Sequence, residues 1–591
     1  MIEKAAKRYR FSFNKINSNF TLAHIITFLT VQQAFILYPF FRPGFEIQRW
    51  NDDFVVFNEW TVNSFSYNLI PKSVDSWIGD VRSRAFMPKF LVGAFGILGQ
   101  NQHMFLLTVI VCWFIALICL AFLFTKIFPA PAALLVTLLV GSSPYRNDFF
   151  PYMQGSGYVV VFLLFSIATC LVYFSLQAKR MVYHNIFLFS ALLTLYISFY
   201  FYEIAIISTG FFSILFLYFR RNSKLVISKK RAFFEATTFL LVGTFHALII
   251  MTAANPIWNR SSVSNFTFVN LAQYLSDFTG NYFKIIGRPF YWMFIKDSFS
   301  INLIHLLQNI LFVILVSLFV CVFVFSIFRL TKLAHQQSHK ARLSKISRSF
   351  KKGVDTNQKF WSFDNILIFL ASVPLILSPY IGFLTFSGGF PVRLSILAIP
   401  GFAIIIGLTF TFFDSKIVSI KNRIRLLCFY LIIPMISSLL AAYQSQSISS
   451  VSVHDNSFES KLLSKLPRVE QINFPIILHI ATPACAESSF WDQSPSGSIW
   501  GANNGQLNLA NSFGLLGKKD PDLSRVLYVP ITVNLPPELS IKIASNYCNA
   551  GEAVTIPASL LPPVPKYSEM YLNQLQYYVD PNLDVIEIYP S

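Results

Sequence analysis

Charged residues are scarce in this chain, and their scarcity decides its broad class. Only 13% of the 591 residues are Asp, Glu, Lys or Arg, whereas 54% are hydrophobic. A soluble globular chain normally carries about 25% charged residues, so that class is excluded. Uninterrupted apolar stretches instead recur along most of the sequence. The composition therefore predicts a polytopic membrane protein.

Several common motifs are also missing from the sequence. It has no CxxC pair and no His/Cys cluster at zinc spacing, which argues against a structural zinc site. It has no P-loop, which argues against chemistry on a bound nucleotide. No internal repeat relates two halves of the chain, as one often does in transporters.

Apolar stretches of about twenty residues mark the predicted spans, because a helix needs that length to cross a bilayer. The stretch from Ile186 to Phe219 would form one helix of about 50 Å, which exceeds a bilayer core, so we divide it at Glu203. The sequence then predicts an all-α membrane domain of about eleven transmembrane helices: Leu22–Phe41, Met104–Phe124, Ile127–Tyr145, Tyr158–Leu176, Ile186–Phe201, Ile204–Phe219, Phe233–Ala254, Ile301–Phe328, Ile366–Phe386, Leu394–Phe413 and Leu426–Ala442.

Basic residues assign the orientation, because Lys and Arg are retained on the cytoplasmic side of a membrane. The first span follows a basic N-terminal segment and lacks a small-residue cleavage site, so we expect a retained anchor. The net charge of +19 is thus mainly a topology signal, and no nucleic-acid partner is expected. Alternation from a cytoplasmic N-terminus places four further basic clusters on the same side: Lys179–Arg180, Arg220–Arg231, Arg329–Lys352 and Lys416–Arg425.

The same alternation divides the chain into three parts. Residues 1–21 form a cytoplasmic N-terminus, and residues 22–443 form the transmembrane domain, with a long outer loop at 42–103. Residues 444–591 form an extracytoplasmic C-terminal domain that is long enough to bury its own core. Runs at Phe474–Ile480 and Arg525–Val533 are typical of short strands. We expect a mixed α/β or β fold for this domain.

Few charged residues remain on the predicted outer side. The long outer loop opens with the segment Arg49-Trp50-Asn51-Asp52-Asp53-Phe54, which brings two adjacent carboxylates close to the membrane surface. Acids combined with arginines suit a reaction in which a base activates a hydroxyl while cations hold a phosphate leaving group. The other candidate residues of the outer side are Arg82, Arg84, Arg146, Asp148, Glu203, Arg288 and Arg393.

The acidic pair and the two arginines of the outer loop each have a structural interpretation beside the functional one. Asp52 and Asp53 could cap a helix that begins at Phe54, because Asp is a favoured N-cap residue and suits the helix dipole. Arg82 and Arg84 precede an apolar stretch and could contact only lipid headgroups. Both interpretations stay open for each pair.

The candidates later in the chain also have a structural and a functional interpretation. Arg393 could anchor a helix end by snorkelling or could bind a phosphate. Glu203 lies at the tip of an apolar hairpin, where a carboxylate costs insertion energy unless it is solvated or paired, and this favours a functional role. We interpret Glu235 and His246, in the seventh span, as an interfacial acid and a polar residue with satisfied hydrogen bonds.

The arrangement resembles the GT-C integral-membrane glycosyltransferases. It shares with them a single first span, a long outer loop with an acidic motif at its start, many short-looped spans and an outer C-terminal domain. The likeness covers Leu22 to Tyr443, and its motif is Asn51-Asp52-Asp53, followed later by Arg82-Ser83-Arg84. The nearest subgroup is the bacterial O-antigen or surface-glycan modifying transferases. No Trp-Trp-Asp motif of the oligosaccharyltransferases is present.

The resemblance implies a location, a reaction and a set of roles. The protein would lie in the bacterial inner membrane and transfer a sugar from a polyprenyl phosphate to a glycan or glycolipid acceptor. Asp52 or Asp53 would be the catalytic base, or the ligand of a divalent cation, Mg or Mn, if one takes part. The runner-up functions are a polysaccharide polymerase or ligase and a transporter of lipid-linked glycans.

The two cysteines of the tail, Cys485 and Cys548, are predicted to form a disulfide, because the tail is assigned to the oxidising exterior. Peptide mass spectrometry without reductant should recover them cross-linked. Two free thiols would contradict the exterior assignment of the tail. The other five cysteines lie within predicted spans: Cys112, Cys119, Cys170, Cys321 and Cys428.

Overall fold

The structure is a computed structural model. It describes residues 22–41, 43, 45, 90, 102–143, 155–221, 223, 227–252, 363–378, 396–417, 422–423, 425–439, 441–442, 445, 449, 476–480, 526–530 and 584–588.

The described chain consists mainly of apolar helices. Their bounds are α1 Leu22–Phe41, α2 Gln102–Ile127, α3 Ala130–Gly141, α4 Gly155–Gln177, α5 Met181–Phe201, α6 Ser208–Arg220, α7 Lys229–Thr252, α8 Phe363–Leu377, α9 Ala398–Lys416 and α10 Arg425–Leu439. The last residues of α1, Tyr38–Phe41, form a 3-10 turn, and another 3-10 turn, Glu203–Ile207, leads directly into α6.

Seven of the described helical segments are long and apolar enough to cross a membrane, which confirms the helical membrane protein in outline. Among the predicted spans, Ile301–Phe328 lies outside the described residues. The third span is shorter than predicted, because α2 ends in a turn before Pro129 and α3 stops at Gly141. Its 12 residues rise only about 18 Å, which is less than a bilayer core.

Three short strands are described in the C-terminal tail. They are β1 Ile476–Ile480, β2 Val526–Pro530 and β3 Asp584–Ile588. Both β2 and β3 pair with β1 in parallel, so the order across the sheet is β2-β1-β3. Strands β1 and β2 lie within the two runs for which the sequence predicts strands.

Contacts between helices link six of them in a closed series. Helix α4 packs against α2, α2 against α3, α3 against α9, α9 against α8, α8 against α6, and α6 returns to α4. Helices α5 and α7 pack outside this series, against α4 and α6 respectively, and they also contact each other. The pair α5 and α7 therefore presents one face to the core and another to the surroundings.

Glycines allow some of these helices to approach closely, as small residues often do in membrane proteins. A side-chain carbon on Gly407 of α9 would lie 2.5 Å from Val136 of α3. One on Gly243 of α7 would lie 2.7 Å from Thr209 of α6. Both distances are shorter than any van der Waals contact, so these interfaces require glycine.

Two buried glutamines of α1 cap the end of the short helix α3. Gln32 Nε2 donates to the Leu138 carbonyl at 3.0 Å, and Gln33 Nε2 donates to the Gly141 carbonyl at 3.0 Å. Gln33 Oε1 accepts a hydrogen bond from Trp113 Nε1 of α2 at 3.1 Å. The carbonyls in the last turn of a helix have no partner within that helix. Gln33 supplies such a partner to the Gly141 carbonyl, and Gln32 adds a second hydrogen bond to the Leu138 carbonyl, which also accepts from the Ser142 N–H at 2.9 Å.

Candidate functional site

The α5–α6 hairpin breaks next to Glu203, as the sequence predicts. Helix α5 ends at Phe201, and Tyr202 is extended, with φ −160° and ψ 129°. The Tyr202 N–H still donates to the Ser198 carbonyl at 3.1 Å, so the end of the helix keeps its hydrogen bond. Glu203 then opens the 3-10 turn that leads into α6. The division of this apolar stretch into two helices is confirmed.

The side chain of Glu203 is buried, because the residue is only 5% exposed. A carboxylate in such a place is costly unless something stabilises its charge. Its position at the start of the 3-10 turn provides one contribution, since negative charge is favoured at a helix N-terminus. Glu203 is therefore part of the packed interior of the bundle, whatever function it also has.

Two pairs of tyrosine hydroxyls lie at this end of α5, and each pair has one member within three residues of Glu203 in the chain. The Tyr158 hydroxyl, in the first turn of α4, donates to that of Tyr202 at 2.5 Å, and their ring centroids are 4.3 Å apart. The hydroxyls of Tyr196 and Tyr200, one turn apart on α5, are joined by a hydrogen bond of 2.7 Å. The first pair connects α4 to the hairpin.

His246 is enclosed by three aromatic rings of α5. Its ring centroid lies 4.8 Å from that of Tyr200, 5.2 Å from Phe199 and 5.6 Å from Tyr196. The residue is 1% exposed, and its Nδ1 has no hydrogen-bond partner within the part of the chain that the structure describes. The expectation of a fully satisfied polar residue is therefore wrong for this atom. A buried polar atom of this kind is unusual in a native protein.

The segment between α1 and α2 contacts this end of the bundle through Phe90. The ring of Phe90 lies 5.7 Å from that of Phe201, edge to face, directly before the break at Tyr202. Phe90 belongs to the loop that the sequence places between the first and second spans. Phe90 therefore packs against the last residue of α5, two positions before Glu203 in the chain.

A second polar cluster, at the opposite ends of α5 and α7, is held by an ion pair. Both oxygens of Glu235 lie 3.2 Å from His184 Nε2, and the Nδ1 of that ring is 3.0 Å from the Ser175 carbonyl. Arg231 Nε donates to Glu235 at 2.7 Å. The side chain of Glu235 is 8% exposed, so it is a buried, paired acid near the start of α7.

These two clusters fix the relative direction of the helices. His184 and Glu235 meet near the starts of α5 and α7, and Tyr200 and His246 meet near their ends. The two helices therefore run in the same direction. Positions 184 and 200 are about 24 Å apart along α5, which is most of a bilayer core.

Among the sequence-predicted site residues, Glu203 is the one that the structure describes. His184 and Tyr158 have contacts that the sequence did not indicate, whereas Tyr196 and Tyr200 show the i, i+4 spacing that places two side chains together on one helix face. Outside the described residues lie Asp52, Asp53, Arg82, Arg84, Arg146, Asp148, Arg288 and Arg393, together with Cys485 and Cys548.

Hydrogen-bonding groups dominate the Glu203 cluster. Among the described residues, no group of three or more His, Cys, Asp or Glu side chains could hold a metal ion. The cluster offers a carboxyl group, phenol hydroxyls and an imidazole, all of which can bind the hydroxyls of a sugar. No protein-family model matches the sequence, and no curated protein matches it significantly.

Breaking the buried ion pair should destabilise the protein more than breaking an exposed one. Glu235→Gln removes the charge that pairs with His184 and Arg231, and we expect a loss of about 1–3 kcal/mol in unfolding free energy. The matched control is Asp364→Asn, which breaks the half-exposed pair with Arg221 and should cost at most about 1 kcal/mol. Thermal unfolding of purified protein in detergent gives the comparison. Equal melting temperatures for the two variants would contradict the assignment.

Proposed function

We propose that the chain is a membrane glycosyltransferase that moves a sugar from a polyprenyl-phosphate donor to a surface glycan or a lipid-linked acceptor. The contact between Phe90 and Phe201 carries the proposal. It joins the loop that opens with Asp52-Asp53 to the bundle end where Glu203 lies among tyrosine hydroxyls.

The orientation of this bundle end follows from charge. Basic residues are retained in the cytoplasm, and they cluster at the opposite end of α5 and α7, at Lys179–Arg180 and Lys229–Arg231. The Glu203 end therefore faces the outside in the proposed topology. The proposed topology also has about eleven spans and a cytoplasmic N-terminus, and the proposed location is a bacterial inner membrane.

The proposed C-terminal domain is extracytoplasmic and mixed α/β. The parallel pairing of its three strands supports this choice over an all-β fold. Parallel neighbours need long crossover connections, which are usually helical. The long segments between the three strands provide enough chain for such crossovers. The domain would lie beside the outer loop and help to position the acceptor.

The proposed chemistry is a direct displacement at the anomeric carbon of the donor sugar. Asp52 or Asp53 removes the proton of the acceptor hydroxyl as its oxygen forms the new bond to that carbon. The bond from the carbon to the phosphate oxygen breaks on the opposite face, so the configuration inverts. The polyprenyl phosphate leaves with the bonding electrons. Its charge is held by arginines, for which the candidates are Arg82, Arg84, Arg288 and Arg393.

Glu203 has a positioning role in this proposed mechanism. Its carboxyl group and the hydroxyl pairs beside it would orient sugar hydroxyls, together with Arg146 and Asp148 of the next outer loop. The buried Nδ1 of His246 supports this role, because it lies next to Tyr200 and has no partner among the described residues. If a divalent cation takes part, Asp52 and Asp53 would hold it.

Two alternative functions each rest on one observation. A polymerase or ligase would place its arginines in a late outer loop, and the segment Asn255–Ser300 contains Arg260 and Arg288. A transporter of lipid-linked glycans would need polar groups deep in the bundle, where Gln32 and Gln33 lie buried. Both amides already donate to the end of α3, so they account for packing more directly than for a translocation path.

The proposed base is tested by Asp52→Asn and Asp53→Asn, made singly. At least one variant should lower the rate of sugar transfer about a hundredfold or more, because general base catalysis contributes that much. Transfer is measured by restoring each variant to cells without the protein and analysing their surface glycan at matched membrane abundance.

The control for this experiment is Asp364→Asn, which neutralises an acid at the basic end of the bundle and should keep full transfer. Full transfer by both Asp52→Asn and Asp53→Asn would eliminate the proposed base. A lengthened or shortened glycan chain with unchanged sugar composition would favour the polymerase instead.

A further inference from the structure

An open, apolar groove lies between α5 and α7 on their outward face. Its volume is about 490 Å³, and it is lined by side chains that include Phe189, Leu193 and Tyr196 of α5 and Leu241 and Phe245 of α7. Phe189 and Phe245 are at least 60% exposed, so the groove opens away from the protein core. In a membrane-spanning helix pair, such a surface faces lipid.

The groove continues as an apolar seam toward the starts of both helices. On α5, Val182 precedes Phe189 by two helical turns and is 65% exposed. On α7, Phe234 precedes Leu241 by the same spacing and is 68% exposed. The seam ends where the Arg231 guanidinium donates to the side-chain Oδ1 of Asn185 at 2.8 Å. One continuous surface thus leads from the groove to a polar boundary.

Positive charge is concentrated at that boundary. Lys179, Arg180, Lys229 and Lys230 are all exposed, and no salt bridge to any of them is found among the described residues. The acid of this boundary, Glu235, is already paired with His184 and Arg231. Both helices also begin here, so their dipoles add positive potential. An anion that approaches this end meets uncompensated charge.

The dimensions of the seam match one leaflet of a bilayer. Phe189 and Leu193 lie about 14 and 20 Å from Arg180 along the axis of α5. One leaflet of the hydrocarbon core is about 15 Å deep. An acyl chain whose headgroup lies at the basic boundary therefore reaches into the groove.

We propose that the seam between α5 and α7 is a binding site for one anionic phospholipid. Its phosphate contacts Lys179, Arg180, Lys229 and Lys230, and an acyl chain follows the seam and enters the groove at Phe189. The site lies at the end of the bundle opposite to Glu203, so it is separate from the proposed transfer reaction. Bound lipid would stabilise the α5–α7 pair, which packs outside the closed series of helices.

The headgroup part is tested by native mass spectrometry of the purified protein, titrated with phosphatidylglycerol or with phosphatidylcholine. The wild type should prefer phosphatidylglycerol. The double variant Lys229→Ala/Lys230→Ala should bind it at least about tenfold more weakly, because each basic residue near a membrane surface contributes substantially to the attraction. The control Lys416→Ala/Arg425→Ala removes two exposed basic residues elsewhere and should stay within about twofold of the wild type.

The groove part is tested by Leu241→Trp, which fills the groove from an exposed position. It should weaken the binding of both lipids. Leu107→Trp, at an exposed position of α2, is its control and should leave binding unchanged. Equal weakening of phosphatidylglycerol binding in Lys229→Ala/Lys230→Ala and in the control Lys416→Ala/Arg425→Ala would overturn the proposal. It would indicate a general attraction of the lipid to any basic surface. Unchanged binding in Leu241→Trp would also overturn it, because another segment or nothing would then occupy the groove.

Discussion

Polar groups inside a membrane must find partners within the protein, because the hydrocarbon core supplies no water. Several irregular features in the described part of this bundle meet that requirement. The glutamines of α1 satisfy the end of α3, and the Tyr202 N–H keeps a carbonyl partner where α5 breaks. Glu203 lies at the start of the 3-10 turn that leads into α6, where negative charge is favoured. The Nδ1 atom of His246 has no such partner among the described residues, and its ring lies next to that of Tyr200, at the proposed site.

The two ends of the α5–α7 pair have different chemistry. One end carries exposed lysines and arginines and a buried His–Glu–Arg ion pair. The other carries a carboxyl group, tyrosine hydroxyls and an imidazole, next to an aromatic residue of the long outer loop. Charge segregation of this kind fixes how a helix pair sits in a membrane. It also separates the proposed lipid-headgroup site from the end at which sugar transfer is proposed.

The sequence was a good guide wherever length alone decided the structure. The break at Glu203 could be predicted because an unbroken helix would have been too long for a bilayer. The third span was placed too long, since its predicted bounds, Ile127–Tyr145, include the turn before Pro129 and the serines that follow the end of α3 at Gly141. The pairing of His184 with Glu235 could not be predicted, because the two residues are 51 positions apart and meet only when α5 and α7 run in the same direction. Burial of Glu203 likewise depends on packing that periodicity does not reveal.

The proposed function depends on sugar transfer at the bundle end that contains Glu203. The most direct test compares the surface glycan of cells without the protein, with the wild type, and with Glu203→Gln at equal membrane abundance. We expect one defined sugar to be lost without the protein, restored by the wild type and restored only in part by the variant. An identical sugar composition in all three would contradict the account.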